Sequence, residues 1–252
     1  MADKDQLNDR EYYHGLKSYV DSVVYPDFPY SHVYAIKEVV EKIPSDSVLH
    51  LSINDSIRIT NFFKLNPRIK TYANIGTHGI DGCLSSFLGQ AAAGDKQSYL
   101  VIGDLAFFYD MNAMRLRHIK NNVHILLINN EGGSEFYFNH MWKDEASDLH
   151  TTARHHTKAE GWVKSNNFIY LSAHDKESMQ EALKEFMRCD LEKPVFLEVF
   201  TEMKTDSDVI YDFFDFSRPK DVQSETIRRS KEFIKATIGQ EKAQKIAGLF
   251  KK

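Results

Sequence analysis

The chain has 252 residues and a formal net charge of −4 at neutral pH. Hydrophobic residues make up 42% and charged residues 27%, ordinary globular values that exclude disordered, collagen-like and low-complexity classes. No apolar run approaches the roughly 18–20 residues that span a bilayer, and the charged N-terminus shows no secretory signal. Cys83 and Cys189 are the two cysteines, too few for a disulfide framework or a zinc site. The composition predicts a cytoplasmic protein with no membrane or nucleic-acid partner.

The pattern along the chain predicts one α/β domain between two helical extensions. Residues 1–45 have apolar positions at helical spacing and form the N-terminal extension. In residues 46–218, short Val-, Ile- and Leu-rich runs alternate with amphipathic segments. This predicts a doubly wound, mostly parallel sheet with helices on both faces. Predicted strands cover 47–53, 99–103, 123–129, 168–173 and 194–200, and predicted helices cover 55–65, 80–93, 106–120 and 175–188. Residues 219–252 form a basic C-terminal helical extension.

Three loops beside these elements carry residue types suited to a ligand site. Gly103 and Asp104 end one strand and begin a helix, where a carboxylate suits a metal-bound phosphate and equally suits a plain helix cap. Residues 129–133 end the next strand, and an Asn oxygen and a turn carbonyl there could join Asp104 around Mg²⁺. The same sequence is also common in simple turns. The glycine-rich segment 74–82 permits close approach of a ligand to the backbone.

Together these loops resemble a known signature. Asp104 and Asn130 lie 26 positions apart, in the order strand, Gly-Asp, helix, strand, Asn-Asn. This arrangement resembles the Gly-Asp and Asn-Asn motif of thiamin-diphosphate enzymes, and residues 47–200 look like their diphosphate-binding (PP) domain. The likeness is closest to the family of 2-succinyl-5-enolpyruvyl-6-hydroxy-3-cyclohexene-1-carboxylate (SEPHCHC) synthase, an enzyme of menaquinone synthesis. The segments GTHGIDGCLSSFLG, GDLAFFYDMNAM and ILLINNEGG carry it.

The resemblance implies that thiamin diphosphate and Mg²⁺ are the cofactors. The side chains of Asp104 and Asn130 and the carbonyl group of Gly132 would bind Mg²⁺. Gly103 would also belong to the cofactor site, and the backbone N–H groups of Leu105 and Ala106 would bind the diphosphate.

The resemblance also implies residues around the rest of the cofactor and the substrate. Ile80 would support the bent cofactor, and the carbonyl group of Gly79 would accept a hydrogen bond from its aminopyrimidine. Asn54 and Arg58 correspond to a Ser and an Arg on a helix that faces the cofactor and the substrate. The candidate substrate contacts are Arg58, His78, Glu135 and Phe136.

Some residues depart from the family's pattern. Ile75 stands where the family has an Arg that contacts a substrate carboxylate, and Ile cannot replace its charge-assisted hydrogen bonds. Glu135 stands where the family has an apolar residue. It either faces the reacting carbon, which would favour a polar or amino-bearing substrate, or points to solvent. His150, His155 and His156 lack the spacing of a metal site and are interpreted as surface or packing residues.

Enzymes of this type need a second, pyrimidine-binding (Pyr) domain, which supplies an activating glutamate. Such a domain needs on the order of 100 residues or more, and residues 1–45 are too few. The resemblance therefore implies a cofactor-binding subunit or domain of a 2-oxo-acid decarboxylase or carboligase, a lyase or transferase incomplete as a single chain. It would act on a small 2-oxo acid with a Pyr-domain chain or as a homodimer. Two alternatives remain open: a C-terminal portion of SEPHCHC synthase, and a non-catalytic binding or assembly protein that retains the fold.

Overall fold

Six strands form one parallel sheet in the order β2-β1-β3-β4-β6-β5. The structure is a computed structural model that describes residues 10–76, 78–137 and 150–217. The strands are β1 (Val48–Leu51), β2 (Lys70–Ala73), β3 (Ser98–Gly103), β4 (Val123–Asn129), β5 (Ile169–Ala173) and β6 (Val195–Phe200). The predicted doubly wound, parallel α/β fold is confirmed.

Helices cover both faces of the sheet. The helices of the described residues are α1 (Arg10–Ser22), which belongs to a separate unit, and α2 (His32–Val40), α3 (Asp55–Thr60), α4 (Cys83–Ala92), α5 (Asp104–Asp110), α6 (Ser134–Tyr137), α7 (Glu160–Ser165), α8 (Lys176–Phe186) and α9 (Met203–Ser217), with a 3₁₀ turn at Met111–Arg115. Helices α4, α5 and α7 pack on the face that carries Leu100 and Leu127. Helix α8 packs on the opposite face, where Phe186 contacts Tyr99. Strands β3 and β4 are buried on both faces, which explains their continuous apolar sequences.

Five predicted strands are present, and β2 was missed. All four residues of β2 are exposed, because this edge strand pairs only with β1, so its sequence has no apolar run. The helix predicted at 106–120 begins at Asp104 and ends at Asp110, and the one predicted at 55–65 ends at Thr60. The sequence pattern did not predict helix α7 or helix α9.

The chain divides into two compact units, residues 24–212 and a second unit made of residues 1–23 with 213–252. All residues of α1, in the second unit, are exposed. The C-terminal helix predicted at 219–252 lies outside the described residues. Within the described part of the chain, no helix is long and apolar enough to cross a membrane.

The strand order creates a place for a ligand. From β1 the chain first adds β2 on one side and then returns to place β3 on the other side. In open α/β sheets, ligands bind at the carboxyl ends of the strands beside such a change of direction. Residues 52–56, 103–106 and 128–136 all emerge at this edge, after β1, β3 and β4.

Candidate cofactor and substrate site

A cavity of about 300 Å³ opens at this edge of the sheet, within the range of small-molecule sites. It brings together most of the predicted site residues: Asn54, His78, Ile80, Gly103, Asp104, Leu105, Ala106, Asn130, Gly132, Glu135 and Phe136. Gly79 lies between two of these wall residues, and its carbonyl oxygen is 3.9 Å from the Cys83 sulfur. Arg58 reaches the cavity through its contact with Glu135.

Asp104 joins the two loops that were predicted to hold a metal. Its side chain is almost completely buried at the start of α5. One carboxylate oxygen accepts the backbone N–H of Leu105 at 2.6 Å. The other accepts the backbone N–H groups of Asn130 at 3.1 Å and Gly132 at 3.0 Å. Since a carboxylate has about four lone-pair sites, three N–H donors leave room for one cation. Asp104 is therefore more than a helix cap.

The turn after β4 requires glycine at one position. Glu131 and Gly132 both have positive φ, 65° and 150°. A Cβ atom on Gly132 would lie 2.7 Å from the carbonyl oxygen of Thr152 and 3.0 Å from Cε of Met203. Because the loop is held between these neighbours, the backbone N–H of Gly132 is kept on the Asp104 carboxylate.

His155 lies at the site, in contrast to its interpretation as a surface or packing residue. Its Nε2 atom is 3.4 Å from the Asp104 carboxylate, and this interaction raises the pKa of His155 above its ordinary value. His156 and His150 are exposed, and His156 pairs with Glu131 at 3.1 Å. No spacing rule links His155 to Asp104, since the fold brings them together from loops 51 positions apart.

Behind Asn130 lies a buried network that the sequence analysis missed. Asp206, on α9, is completely buried. One of its carboxylate oxygens accepts hydrogen bonds from the Asn130 amide at 2.9 Å and the Thr201 hydroxyl at 2.6 Å. The other accepts the backbone N–H of His32 at 2.8 Å and lies 3.3 Å from its Nδ1 atom. Because the Asn130 nitrogen is bound to Asp206, only the amide oxygen of that side chain can bind a cation.

His32 and Asp206 form a buried pair of titratable groups. Burial alone lowers the pKa of His32, but the charge of Asp206, its hydrogen bond and the charge of Asp55 raise it above the ordinary value. Burial alone raises the pKa of Asp206, but His32 and the hydrogen bonds from Thr201 and Asn130 lower it below the ordinary value. Both shifts favour the charged forms of the two groups in a site closed to water.

Glu135 lines the cavity, so it does not point to solvent. Its carboxylate accepts hydrogen bonds from the Asn54 amide and from the Arg58 guanidinium, the latter at 2.9 Å. Burial, followed by the charge of Asp55, raises the pKa of Glu135, and Arg58 opposes that shift. Asn54, which precedes α3, and Arg58, in its last turn, are therefore both bound to Glu135.

A doubly wound parallel sheet with a cavity at its direction change defines a class of α/β proteins that bind small molecules at the strand ends. No protein-family profile matches the chain. It is 35% identical over 200 residues to the SEPHCHC synthase of Phocaeicola vulgatus, spanning 79% of this chain and 36% of that protein. The SEPHCHC synthase of Bacteroides fragilis is 35% identical over 206 residues, spanning 81% of this chain and 37% of the relative.

A third relative, the SEPHCHC synthase of Christiangramia forsetii, is 34% identical over 193 residues, 76% of this chain and 33% of its own length. The resemblance drawn from the motifs is therefore confirmed, and this chain is homologous to SEPHCHC synthases over most of its length. It spans a little over a third of the length of the first relatives it matches.

Proposed function

We propose that this chain binds thiamin diphosphate through Mg²⁺ and forms the diphosphate-binding half of a 2-oxo-acid decarboxylase or carboligase. The observation that carries the proposal is the buried Asp104 carboxylate, which binds the backbone of both Asn130 and Gly132 at the cavity wall. The three expected ligands of Mg²⁺ are thus neighbours in space. Homology to SEPHCHC synthases supports the same cofactor assignment.

The residues present fit such a metal. Mg²⁺ prefers oxygen ligands, takes one or two from carboxylates, and obtains the rest from phosphate and water. The site offers one carboxylate with a free lone pair, one amide oxygen whose orientation Asp206 fixes, and the carbonyl group of Gly132. Two further neighbours, Leu105 and Ala106, line the cavity beside this set at the start of α5.

When bound, the cofactor would supply the electron sink for decarboxylation. The chain's own contribution would be orientation and charge. Asp104, Asn130 and Gly132 would hold the metal, and the N–H groups at the start of α5 would face the diphosphate. Ile80 lines the cavity while packing against the apolar core, so its position is fixed. A 2-oxo acid would enter beside Phe136, which is partly exposed at the cavity wall.

The activating glutamate would come from a Pyr-domain partner. A second candidate function is that the chain acts as a portion of SEPHCHC synthase itself, which the 35% identity favours. Ile75 and Glu135 oppose it, because both replace residue types that the family's pattern has at these positions. Activity with isochorismate and 2-oxoglutarate, after a Pyr-domain chain is added, would support this second candidate.

The test is proton NMR of thiamin diphosphate with this chain and Mg²⁺ in D₂O. Line broadening reports binding, and loss of the thiazolium C2 proton reports activation. We expect binding that requires Mg²⁺, with slow exchange, because the activating glutamate lies in the partner. Fast exchange would show that this chain activates its own cofactor and would refute the requirement for a partner. Absence of binding, with and without Mg²⁺, would refute the cofactor assignment and favour a non-catalytic protein.

The Asp104→Ala variant sharpens the test. Removing the carboxylate ligand should weaken cofactor binding by more than about 100-fold, beyond what loss of an indirect partner costs. Asp104→Asn keeps the shape and checks that the loss comes from charge rather than unfolding. Asp95→Ala is the matched control, since Asp95 is an exposed carboxylate paired with Lys120. Unchanged affinity of the Asp104→Ala variant for the cofactor would show that Asp104 is not part of the binding site.

A further inference from the structure

One wall of the cavity is polar and has no part in the proposed metal site. We call it the polar wall and define it as His32, Asn54, Asp55 and Glu135, with Arg58 bound behind Glu135. These residues come from the starts of α2 and α3 and from α6. What this wall can bind follows from its charges and from the atoms it leaves without partners.

The positive charge of Arg58 is already neutralised. Its guanidinium lies 2.9 Å from the Glu135 carboxylate and 3.5 Å from the Asp55 carboxylate. The second oxygen of Glu135 accepts the Asn54 amide. An incoming carboxylate would therefore meet two carboxylates around one guanidinium, and at Nη1 it would have to compete with Glu135. This arrangement disfavours an anionic group at the polar wall.

Two buried atoms of the wall lack a hydrogen-bond partner among the described residues, Nε2 of His32 and Oδ1 of Asp55, although Oδ1 lies 3.5 Å from the Arg58 guanidinium. The His32 side chain is only 2% exposed, and its Nε2 atom lies 3.8 Å from Oδ2 of Asp55. Oδ2 itself accepts the Ser134 hydroxyl at 2.9 Å. Leaving such groups unpaired is costly, so a ligand that pairs them gains binding energy.

The chemistry of these two atoms selects the ligand group. Nδ1 of His32 accepts the backbone N–H of Val33 at 3.0 Å, so the ring hydrogen lies on Nε2, which is a donor, whereas Asp55 Oδ1 is an acceptor. A carboxylate can only accept hydrogen bonds and an ammonium group can only donate them. A hydroxyl oxygen can accept from His32 and donate to Asp55 at the same time.

We propose that the polar wall is a subsite for a hydroxyl group of the substrate, and that Glu135 excludes a second carboxylate by occupying Arg58. This inference rests on the proposed function and deepens it. It assigns the substrate class as a 2-oxo acid with one carboxylate and a hydroxyl group on the remote end of its chain.

The experiment compares two ligands that differ only at that end, 5-hydroxy-2-oxopentanoate and 2-oxoglutarate. Binding is measured by isothermal titration calorimetry, with and without thiamin diphosphate and Mg²⁺, so the preference is read whether or not the cofactor binds. The hydroxylated ligand should bind at least about tenfold more tightly, the effect of one charge-assisted hydrogen bond. Equal or tighter binding of 2-oxoglutarate overturns the proposal.

The Glu135→Gln variant releases Arg58 and should tighten 2-oxoglutarate binding at least about tenfold. Adding Arg58→Gln should abolish that gain. The control is Glu160→Gln, which removes an exposed carboxylate paired with Lys164 and should change neither affinity. No gain in Glu135→Gln overturns the proposal, as does the lack of saturable binding of both ligands to every variant. Failure of the proposed function is separate, because it appears as lack of thiamin-diphosphate binding in the NMR test.

Discussion

Two histidines are buried at opposite ends of the sheet, and their pKa values are shifted in opposite directions. His124 lies at the amino end of β4, where its ring stacks on Tyr99 with 4.4 Å between centroids. Its two nitrogens lie 2.8 Å from the Phe186 carbonyl oxygen and from the Gln97 side-chain oxygen. Burial lowers the pKa of His124 to about 4, so the ring is neutral at pH 7.

His32, at the cavity, has the opposite shift. The buried carboxylate of Asp206 raises its pKa in spite of burial, and its Nε2 atom has no partner among the described residues. Burial is therefore no guide to the role of a histidine in this protein. The neutral ring of His124 meets only uncharged partners and serves packing, whereas the ring of His32 lies beside a carboxylate and presents a hydrogen-bond donor to a cavity.

The largest effect is expected from Asp206→Ala. This change leaves buried His32 and the amide of Asn130 without their partner, and if the His32–Asp206 pair is ionic it should lower the free energy of unfolding by about 3–5 kcal/mol. Urea unfolding at pH 7 measures it. Asp208→Ala is the control on the same helix, because its ion pair with Lys204 is exposed and contributes far less. Similar losses in the two variants would mean that the His32–Asp206 pair is not ionic.

A smaller effect, and a test of the other histidine, is the pH dependence of stability. Because the folded pKa of His124 is about 4 and its ordinary value is 6.5, the unfolded chain binds the additional proton between these values. The free energy of unfolding should therefore fall by about 3 kcal/mol as the pH drops through this window. His32 has the opposite sign, since its stabilising charge is present at low pH and lost as the pH rises through its raised pKa.

The His124→Gln variant should show a flatter pH profile than the wild type, measured by urea unfolding at steps from pH 7 to pH 4. His32→Gln is the matched comparison, since it should leave that fall in place. A wild-type profile that His124→Gln does not change would show that the His124 ring is protonated in the folded protein.

The fold could be predicted because the central strands are buried on both faces and therefore have continuous apolar sequences, as β3 and β4 show. The edge strand β2 could not, since its four side chains are exposed. The metal-loop candidates were identifiable because Gly-Asp and Asn-Asn-x-Gly-Gly are local in sequence. The two motifs lie close together in the fold because the strands before them, β3 and β4, are paired.

The His32–Asp206 pair could not be predicted, because its members lie 174 positions apart and neither belongs to a motif. The one local signal is Ser31, a helix cap before an apolar helix, which places His32 at the first helical position. Glu135 was identified as a departure from the family's pattern. Which of its two orientations holds depends on Asn54 and Arg58, which only the folded structure brings to it.

The smallest expected effect concerns that cap. The buried Ser31 hydroxyl accepts the backbone N–H of Tyr34 at 3.3 Å, so Ser31→Ala should lower the free energy of unfolding by about 1 kcal/mol. Asp175→Ala is the matched control, because it removes the capping box of α8. Both variants lose a cap, but only Ser31→Ala releases the start of α2 and displaces His32. Binding of 5-hydroxy-2-oxopentanoate should therefore weaken in Ser31→Ala alone. Equal weakening in both variants would show that His32 does not contact the ligand.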